Sequence, residues 1–235
     1  IYKESIMNIT KKITAYVFGL VMLVSFSASA VEFRGGLTLT GMGLYATGEE
    51  KLKDSGKRTH KEAAAIFQNA SLFAEVATDM GLALGVSYTP EFADLPDESR
   101  TDLANKGQGD TGAGAESTNT VDGKVNDAVE AYLTMPIGDG GLYAKAGMLF
   151  AELVINENLA SGSSYGDVDA QAGVIGLGYQ GTLSDNIFWR VEGAYMQFEN
   201  ISEKGSEVGG TSLSFNEITA EITGARAALS VGMAF

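Results

Sequence analysis

Six charged residues occupy alternate positions in segments that otherwise consist of apolar and small residues. They are Glu75, Glu130, Lys145, Arg190, Glu192 and Arg226. Because successive side chains of a β-strand point to opposite faces, these charges share a face with small and polar neighbours and not with leucine and valine. Acids and bases that are collected on one face can pair, and pairing is what allows charges to be buried.

Two ion pairs are predicted within this set. In a hairpin that turns at residues 136–141, Lys145 falls opposite Tyr132 and diagonally beside Glu130, so Lys145 and Glu130 should pair. Glu192 and Arg226 lie on neighbouring predicted strands at comparable heights and form the second predicted pair. We name the six residues the lumen charge network.

Catalytic chemistry has little support in the sequence. His60 is the only histidine, and acid-base or nucleophilic catalysis would require Asp, Glu or Ser beside it. A solvated histidine in a charged loop is the better interpretation. With one histidine and no cysteine we expect no transition-metal site, no cofactor and no enzymatic activity.

Residues 176–181 match the G-x-G-x-x-G pattern of dinucleotide-binding sites. Such a site needs a helix directly after the glycines, whose N-terminus holds the pyrophosphate. Here a turn and another strand are predicted instead. We therefore interpret these glycines as positions of strand curvature or close packing.

Period-two alternation after residue 31 predicts eight strands, linked alternately by tight turns and long polar stretches. The predicted strands cover residues 33–46, 66–77, 82–88, 127–135, 142–153, 168–180, 189–195 and 215–235, and the tight turns cover 78–81, 136–141 and 181–186. In the sixth strand we expect Ile175, Leu177 and Tyr179 to face outward. Near Gly224 the apolar parity changes, which indicates a bulge or a strand that projects beyond the lipid.

The last predicted strand has an apolar face formed by Leu229, Val231, Met233 and Phe235. A soluble sheet would have to cover this face, whereas a bilayer satisfies it if the sheet closes into a ring. The fold class is therefore all-β: an eight-stranded antiparallel up-and-down transmembrane β-barrel over residues 31–235.

Aromatic residues fall near the predicted strand ends, where membrane barrels carry their girdles. They are Tyr45, Tyr88, Tyr179, Trp189, Tyr195 and Phe235. The alternative, a sugar-binding platform, is less favoured.

The N-terminal segment has the pattern of a cleaved secretory signal. Met7 is the expected start, Lys11 and Lys12 form a positive region, residues 13–26 are apolar, and residues 28–30 give a small-x-small cleavage site. We expect residues 1–30 to comprise upstream residues and this signal, and export to precede folding.

Composition restricts the partners. The chain has 30 acidic and 16 basic residues and a formal net charge of −14, so nucleic acid is a poor candidate. Acidic residues concentrate in residues 91–126, which we predict to be a mobile loop and not two further strands. Divalent cations, calcium above all, are candidate ligands of such acidic loops, although the spacing of these acids matches no calcium-loop pattern and residues 167–169 lack the rest of the motif.

The layout and the final strand resemble the small eight-stranded outer-membrane β-barrels around the OmpA transmembrane domain and OmpX-like proteins. This resemblance covers most of residues 31–235. It implies a Gram-negative outer membrane, a largely filled lumen, loops that face the environment, and a last strand, here with Val231, Met233 and Phe235, that addresses the barrel-assembly machinery.

The predicted function is a structural or surface-interaction role through long acidic loops. An eight-stranded barrel is just wide enough for side chains to fill, so the lumen charge network should act as a plug. A narrow porin-like channel, gated by rearrangement of the pairs, is the alternative. Expected partners are outer-membrane lipid and lipopolysaccharide, and we expect a monomer.

Overall fold

A computed structural model describes residues 31–51, 58–94, 98–103, 116–158, 165–205 and 217–235. The predicted signal segment, residues 1–30, lies outside the described residues. Eleven strand segments are present: β1 Val31–Lys51, β2 Arg58–Thr78, β3 Ala83–Thr89, β4 Ala93–Asp94, β5 Glu98–Leu103, β6 Glu116–Pro136, β7 Leu142–Asn158, β8 Val168–Ser184, β9 Ile187–Phe198, β10 Ile201–Lys204 and β11 Glu217–Ala234. Within these ranges no helix is long and apolar enough to span a membrane.

The strands form one antiparallel sheet that closes on itself. The order β1-β2-β3-β6-β7-β8-β9-β11 returns to β1 through a ladder from Arg34↔Ala234 to Lys51↔Glu217. Segments β3, β4 and β5 follow one another along β6, and β9 and β10 follow one another along β11. The described chain therefore has eight positions around the ring, and the predicted eight-stranded up-and-down barrel is confirmed.

Tight turns join the strands at one end, which we name the short-turn end. After β2, the Gly81 N–H donates to the Thr78 carbonyl at 2.8 Å, and Gly81 has a φ of 79°. After β6, the Ile137 N–H donates to the Leu142 carbonyl at 2.7 Å. The opposite end, which we name the loop end, carries the longer connections.

The alternating faces follow the predicted parity. Ile175, Leu177 and Tyr179 of β8 face outward and are 63%, 58% and 44% exposed, as predicted. The outward side chains of β1, including Phe33, Leu37 and Leu39, are also exposed and apolar. The barrel thus presents an apolar exterior around the lumen charge network.

Three predictions about the loop end are corrected. Strands β1 and β2 extend well beyond the predicted 33–46 and 66–77, because hairpin pairing continues where the side chains become polar. Residues 91–126, predicted to be a loop without strands, contain β4, β5 and the start of β6, and β5 pairs with β6 from Glu98↔Val121 to Leu103↔Glu116. All three corrections have one reason: backbone hydrogen bonds sustain a ladder in water without an apolar face.

The ladder near Gly224 is unbroken, so no bulge explains the change of parity there. Register shifts occur instead between Val125 and Ala128 and between Thr182 and Ser184. Ile222 points inward and packs against an apolar cluster in the lumen. Inward and outward side chains therefore alternate without interruption along β11. What changes near Gly224 is the lumen itself, whose inward side chains are polar on one side of this residue and apolar on the other.

Candidate functional site

All six residues of the lumen charge network lie on inward faces in the half of the barrel near the short-turn end, and the structure brings them into two connected groups. We name this region the charged half. Five strands supply three acids and three bases: β2 and β6 carry Glu75 and Glu130, β7 carries Lys145, and β9 and β11 carry the other three. Backbone pairing around the ring converts distant sequence positions into neighbours across the lumen.

Glu75 and Arg190 form the more buried group. The Arg190 Nη2 donates to Glu75 Oε2 at 2.7 Å, and its Nη1 contacts Oε1, which makes the pair bidentate. Arg190 Nε donates to Gln180 Oε1 at 2.7 Å, and Tyr132 donates its hydroxyl proton to Glu75 Oε1 at 2.8 Å. The guanidinium also lies 4.7 Å from the ring centroid of Phe188. These contacts compensate the desolvation of both charges.

The other four residues, Glu130, Lys145, Glu192 and Arg226, form an alternating group that we name the tetrad. Lys145 Nζ lies 3.2 Å from Glu130 Oε1 and 3.2 Å from Glu192 Oε1. Arg226 donates to both oxygens of Glu130, at 2.7 and 3.0 Å, and to Glu192 Oε1 at 3.3 Å. Each acid therefore contacts both bases, and the tetrad is neutral.

Two tyrosines connect the tetrad to the Glu75–Arg190 pair. Tyr132 donates to Glu75, and its ring centroid lies 4.0 Å from Lys145 Nζ. Tyr143 donates to Glu192 Oε2 at 3.2 Å, and its ring centroid lies 5.6 Å from the Arg190 guanidinium. The charged half is consequently one continuous network. The sequence interpretation missed both tyrosines, although their inward parity was visible.

Glycines make room for these rings inside a narrow barrel. A Cβ atom on Gly85 would collide with the Tyr132 ring, and one on Gly178 would collide with the Tyr143 ring. Gly178 belongs to the G-x-G-x-x-G match. Gly181 of the same match leaves room for the Trp189 ring on the outer face, with which a Cβ atom at this position would collide. The match lies in β8, with β9 following, as the packing interpretation expected.

The predicted register of β6 and β7 is wrong by two residues. Lys145 lies opposite Thr134, and Tyr132 lies opposite Gly147. The pairing extends to Pro136↔Tyr143, which moves the centre of the turn toward β7. Lys145 still reaches Glu130, because long side chains span the extra diagonal step.

The lumen toward the loop end has a different character, and we name it the apolar half. Met42, Leu149, Val174 and Met196 are its largest fully buried side chains. Phe92 enters from the segment between β3 and β4, where its N–H donates to the Asn126 carbonyl and its carbonyl accepts from Asn69 Nδ2 at 3.2 Å. This half was not predicted, and the inward position of Ile222 beyond Gly224 was the signal for it.

Hydroxyl groups and the tetrad line the same small cavity, and we name these hydroxyl groups the hydroxyl wall. Strands β1, β2, β3 and β11 contribute Thr40, Ser71, Ser87 and Ser230 to the lining, and Ser230 Oγ lies 2.8 Å from Thr38 Oγ1. The cavity has a volume of about 40 Å³. This space suffices for roughly three water molecules.

The remaining predicted site residues lie on the exterior. Val231 and Met233 face outward on β11, Phe235 directly follows this strand, and all three are exposed. The aromatic residues proposed as girdles are also outward: Tyr179 and Trp189 are in ring contact, Tyr88 donates to Asp127, and Tyr195 donates to Gln197.

His60 lies on the projecting part of β2. Its Nε2 is 3.3 Å from Glu49 Oε2, and its side chain is 73% exposed. Arg58 Nη1 contacts the other oxygen of the same carboxylate at 2.6 Å. Among the described residues no cluster of three His, Cys, Asp or Glu side chains could hold a metal ion. Most of the acids of residues 91–126 have side chains outside the described set.

No protein-family model and no curated protein sequence matches the chain. Similar solved structures include the outer membrane protein OprG from Pseudomonas aeruginosa, with 15% identity, a TM-score of 0.47, and coverage of 88% of this chain and 97% of that one. The outer membrane protease OmpT from Escherichia coli has 10% identity, a TM-score of 0.46, and coverage of 87% and 97%. The attachment invasion locus protein Ail of Yersinia pestis has 13% identity, a TM-score of 0.35, and coverage of 85% and 99%. At such low identity and TM-score, none of these similarities transfers a function to this chain.

Proposed function

We propose that this protein is an integral β-barrel of the Gram-negative outer membrane, with a closed lumen and a structural or surface-interaction role at its loop end. The observation that carries the proposal is a closed ring whose exposed exterior is apolar and whose charges are enclosed. Leu37 and Leu39 are 59% and 63% exposed. In water such a surface would cause aggregation. In a bilayer the surface that faces the lipid has to be apolar.

The dimensions of the apolar exterior fit a membrane. Phe33 and Tyr45 are outward aromatic residues toward the two ends of the apolar face of β1, and they are 12 residues apart. This separation is about 40 Å along a strand, or about 30 Å along the barrel axis at the usual tilt of roughly 40°. A hydrocarbon core is about 30 Å thick.

The proposal includes a route and partners. Export would use the signal in residues 1–30, and assembly would use the barrel-assembly machinery, addressed by Val231, Met233 and Phe235. Outer-membrane lipid and lipopolysaccharide would surround a monomer, and divalent cations would meet the acidic loops. No catalytic role is proposed, since His60 contacts a carboxylate on an exposed hairpin away from the enclosed charges.

A closed lumen is supported by the way in which both halves are filled. In the charged half, each carboxylate contacts a base and a further donor. In the apolar half, side chains with less than 2% exposure occupy the axis. The loop end, where β1, β2, β5 and β6 project, is then the surface available for interaction.

The membrane location is tested by placing a charge at the centre of the apolar exterior. Leu39 is equidistant from Phe33 and Tyr45, so Leu39→Arg should reduce the free energy of unfolding in lipid vesicles by about 2–4 kcal/mol. The control is Ser202→Arg, on the projecting β10, which should change it by less than about 0.5 kcal/mol. Equal, small effects of both substitutions would refute the membrane location.

A narrow pore is the second candidate, and the cavity beside the tetrad favours it. If the pairs rearranged, this space would become part of a path for small solutes. The swelling rate of vesicles in glycine solution distinguishes a closed barrel from a pore. A closed barrel predicts that vesicles with the protein swell as slowly as vesicles without it. A pore predicts faster swelling, and a swelling rate that changes in Lys145→Ala.

A further inference from the structure

The cavity beside the tetrad has features that the ion pairs do not use. The lining includes hydroxyl groups, which can turn their protons toward a bound acceptor. It also includes Lys145, Arg190 and Arg226 with Glu130 and Glu192. Glu75, which pairs with Arg190, is fully buried and is not part of the lining.

Arg226 supplies a donor without an acceptor. Its two Nη atoms bind the tetrad acids, but no hydrogen-bond acceptor among the described residues reaches its Nε. The side chain is nine-tenths buried and lines the cavity. A buried charged N–H without a partner is costly, so this atom favours an acceptor in the adjoining space.

The two acids of the lining do not offer a comparable site for a cation. Both oxygens of Glu130 receive hydrogen bonds from Arg226, and Oε1 also contacts Lys145. Glu192 Oε1 contacts the same two bases, and its Oε2 accepts from Tyr143. Each of the four carboxylate oxygens therefore already has at least one donor.

We propose that this cavity is a binding site for one small monovalent anion of halide size, held by Arg226 Nε and the hydroxyl wall. Arg226 Nε donates to the anion, and the hydroxyls complete its coordination. The low dielectric constant of a barrel interior strengthens each of these contacts relative to water. The site is independent of whether the lumen conducts.

The direct test is anomalous diffraction from crystals of the full chain grown in bromide. One bromide peak beside Arg226 Nε, facing Thr40 and Ser230, is the expected result. Bromide found only on the outer surface, or water alone in the cavity of the same crystals, would overturn the proposal.

Affinity is measured by the rise of the unfolding temperature of the micelle-bound protein with bromide, against sulfate, which is larger and divalent, at equal ionic strength. Arg226→Lys keeps the charge but lacks the Nε donor, and it should weaken bromide binding by about tenfold, the loss of one hydrogen bond to a charged group. Arg58→Lys, on the exposed hairpin, is the matched control and should leave the affinity unchanged.

Because Arg226→Lys also alters the tetrad, a second variant changes an uncharged residue of the lining. Thr40→Val removes one hydroxyl from the lining without touching an ion pair, and it should weaken bromide binding several-fold. If the unfolding temperature of wild type, Thr40→Val and Arg58→Lys responds identically to bromide, the anion is not bound in this cavity.

Discussion

The two halves of the lumen are built on the same strands with the same inward parity, yet they are filled by opposite chemistry. Near the short-turn end the inward side chains are acids, bases and tyrosines, connected from Gln180 to Arg226. Toward the loop end they are Met42, Leu149, Val174 and Met196. A barrel of this width can therefore be filled by hydrogen-bonded charges or by ordinary core packing.

The difference has consequences for specificity. A charged network tolerates no change of register, because a slip would leave a buried charge without its partner. An apolar cluster tolerates modest changes of shape, as other cores do. We infer that the charged half fixes the pairing of the strands and that the apolar half contributes packing energy and excludes water.

The largest effect should come from breaking the Glu75–Arg190 pair. Arg190→Ala leaves the carboxylate of Glu75 buried with only Tyr132 as a donor, so the free energy of unfolding in vesicles should fall by about 3–5 kcal/mol. Urea titration followed by tryptophan fluorescence of Trp189 measures this. Arg58→Ala, which breaks an exposed pair, should cost less than about 1 kcal/mol. A loss for Arg190→Ala as small as that of the control would contradict the role of the network.

A cavity in the apolar half should have the next largest effect. Met196→Ala removes a fully buried side chain and should lower the free energy of unfolding by about 2–5 kcal/mol, with the smaller values if neighbours relax. Met80→Ala, on an exposed turn, serves as the control. Equal stability of the two variants would mean that the apolar half is not packed as a core.

A smaller effect is expected where a glycine supports a lumen ring. Gly85→Ala forces the Tyr132 ring to move and weakens its hydrogen bond to Glu75, which should cost about 1–3 kcal/mol. Gly193→Ala, at an open outward position, should stay within about 0.5 kcal/mol of wild type in the same titration. If Gly85→Ala is also neutral, the close contact between strand and ring is not required.

The sequence predicted the fold and much of the charged half, because lipid imposes a strict rule on the exterior. Because every second residue faces lipid and must be apolar, the outward position of Leu39 and Leu177 could be predicted directly. The residues between the outward positions, such as Lys145, are then inward. Turns were predictable where glycine and proline cluster, as at residues 136–141.

Other features did not follow from alternation. The projecting parts of β1, β2 and β5 are polar on both faces, so nothing in their pattern distinguishes them from loops. The apolar half was missed because inward residues were expected to be small or polar, and Met42 or Leu149 violate that rule. The register of β6 on β7 depends on turn geometry at Gly138 and Gly141, both with positive φ, which composition does not fix.

The charged half and the apolar half follow one another along the lumen. Disrupting only one of them should therefore not produce a pore. The most direct test is the conductance of the refolded full chain in planar bilayers. The account predicts no steady unit conductance from wild type or from Arg190→Ala, since the apolar half remains packed and dry. Steady unit conductance from wild type that is lost or altered in Arg190→Ala or Lys145→Ala would contradict a closed lumen.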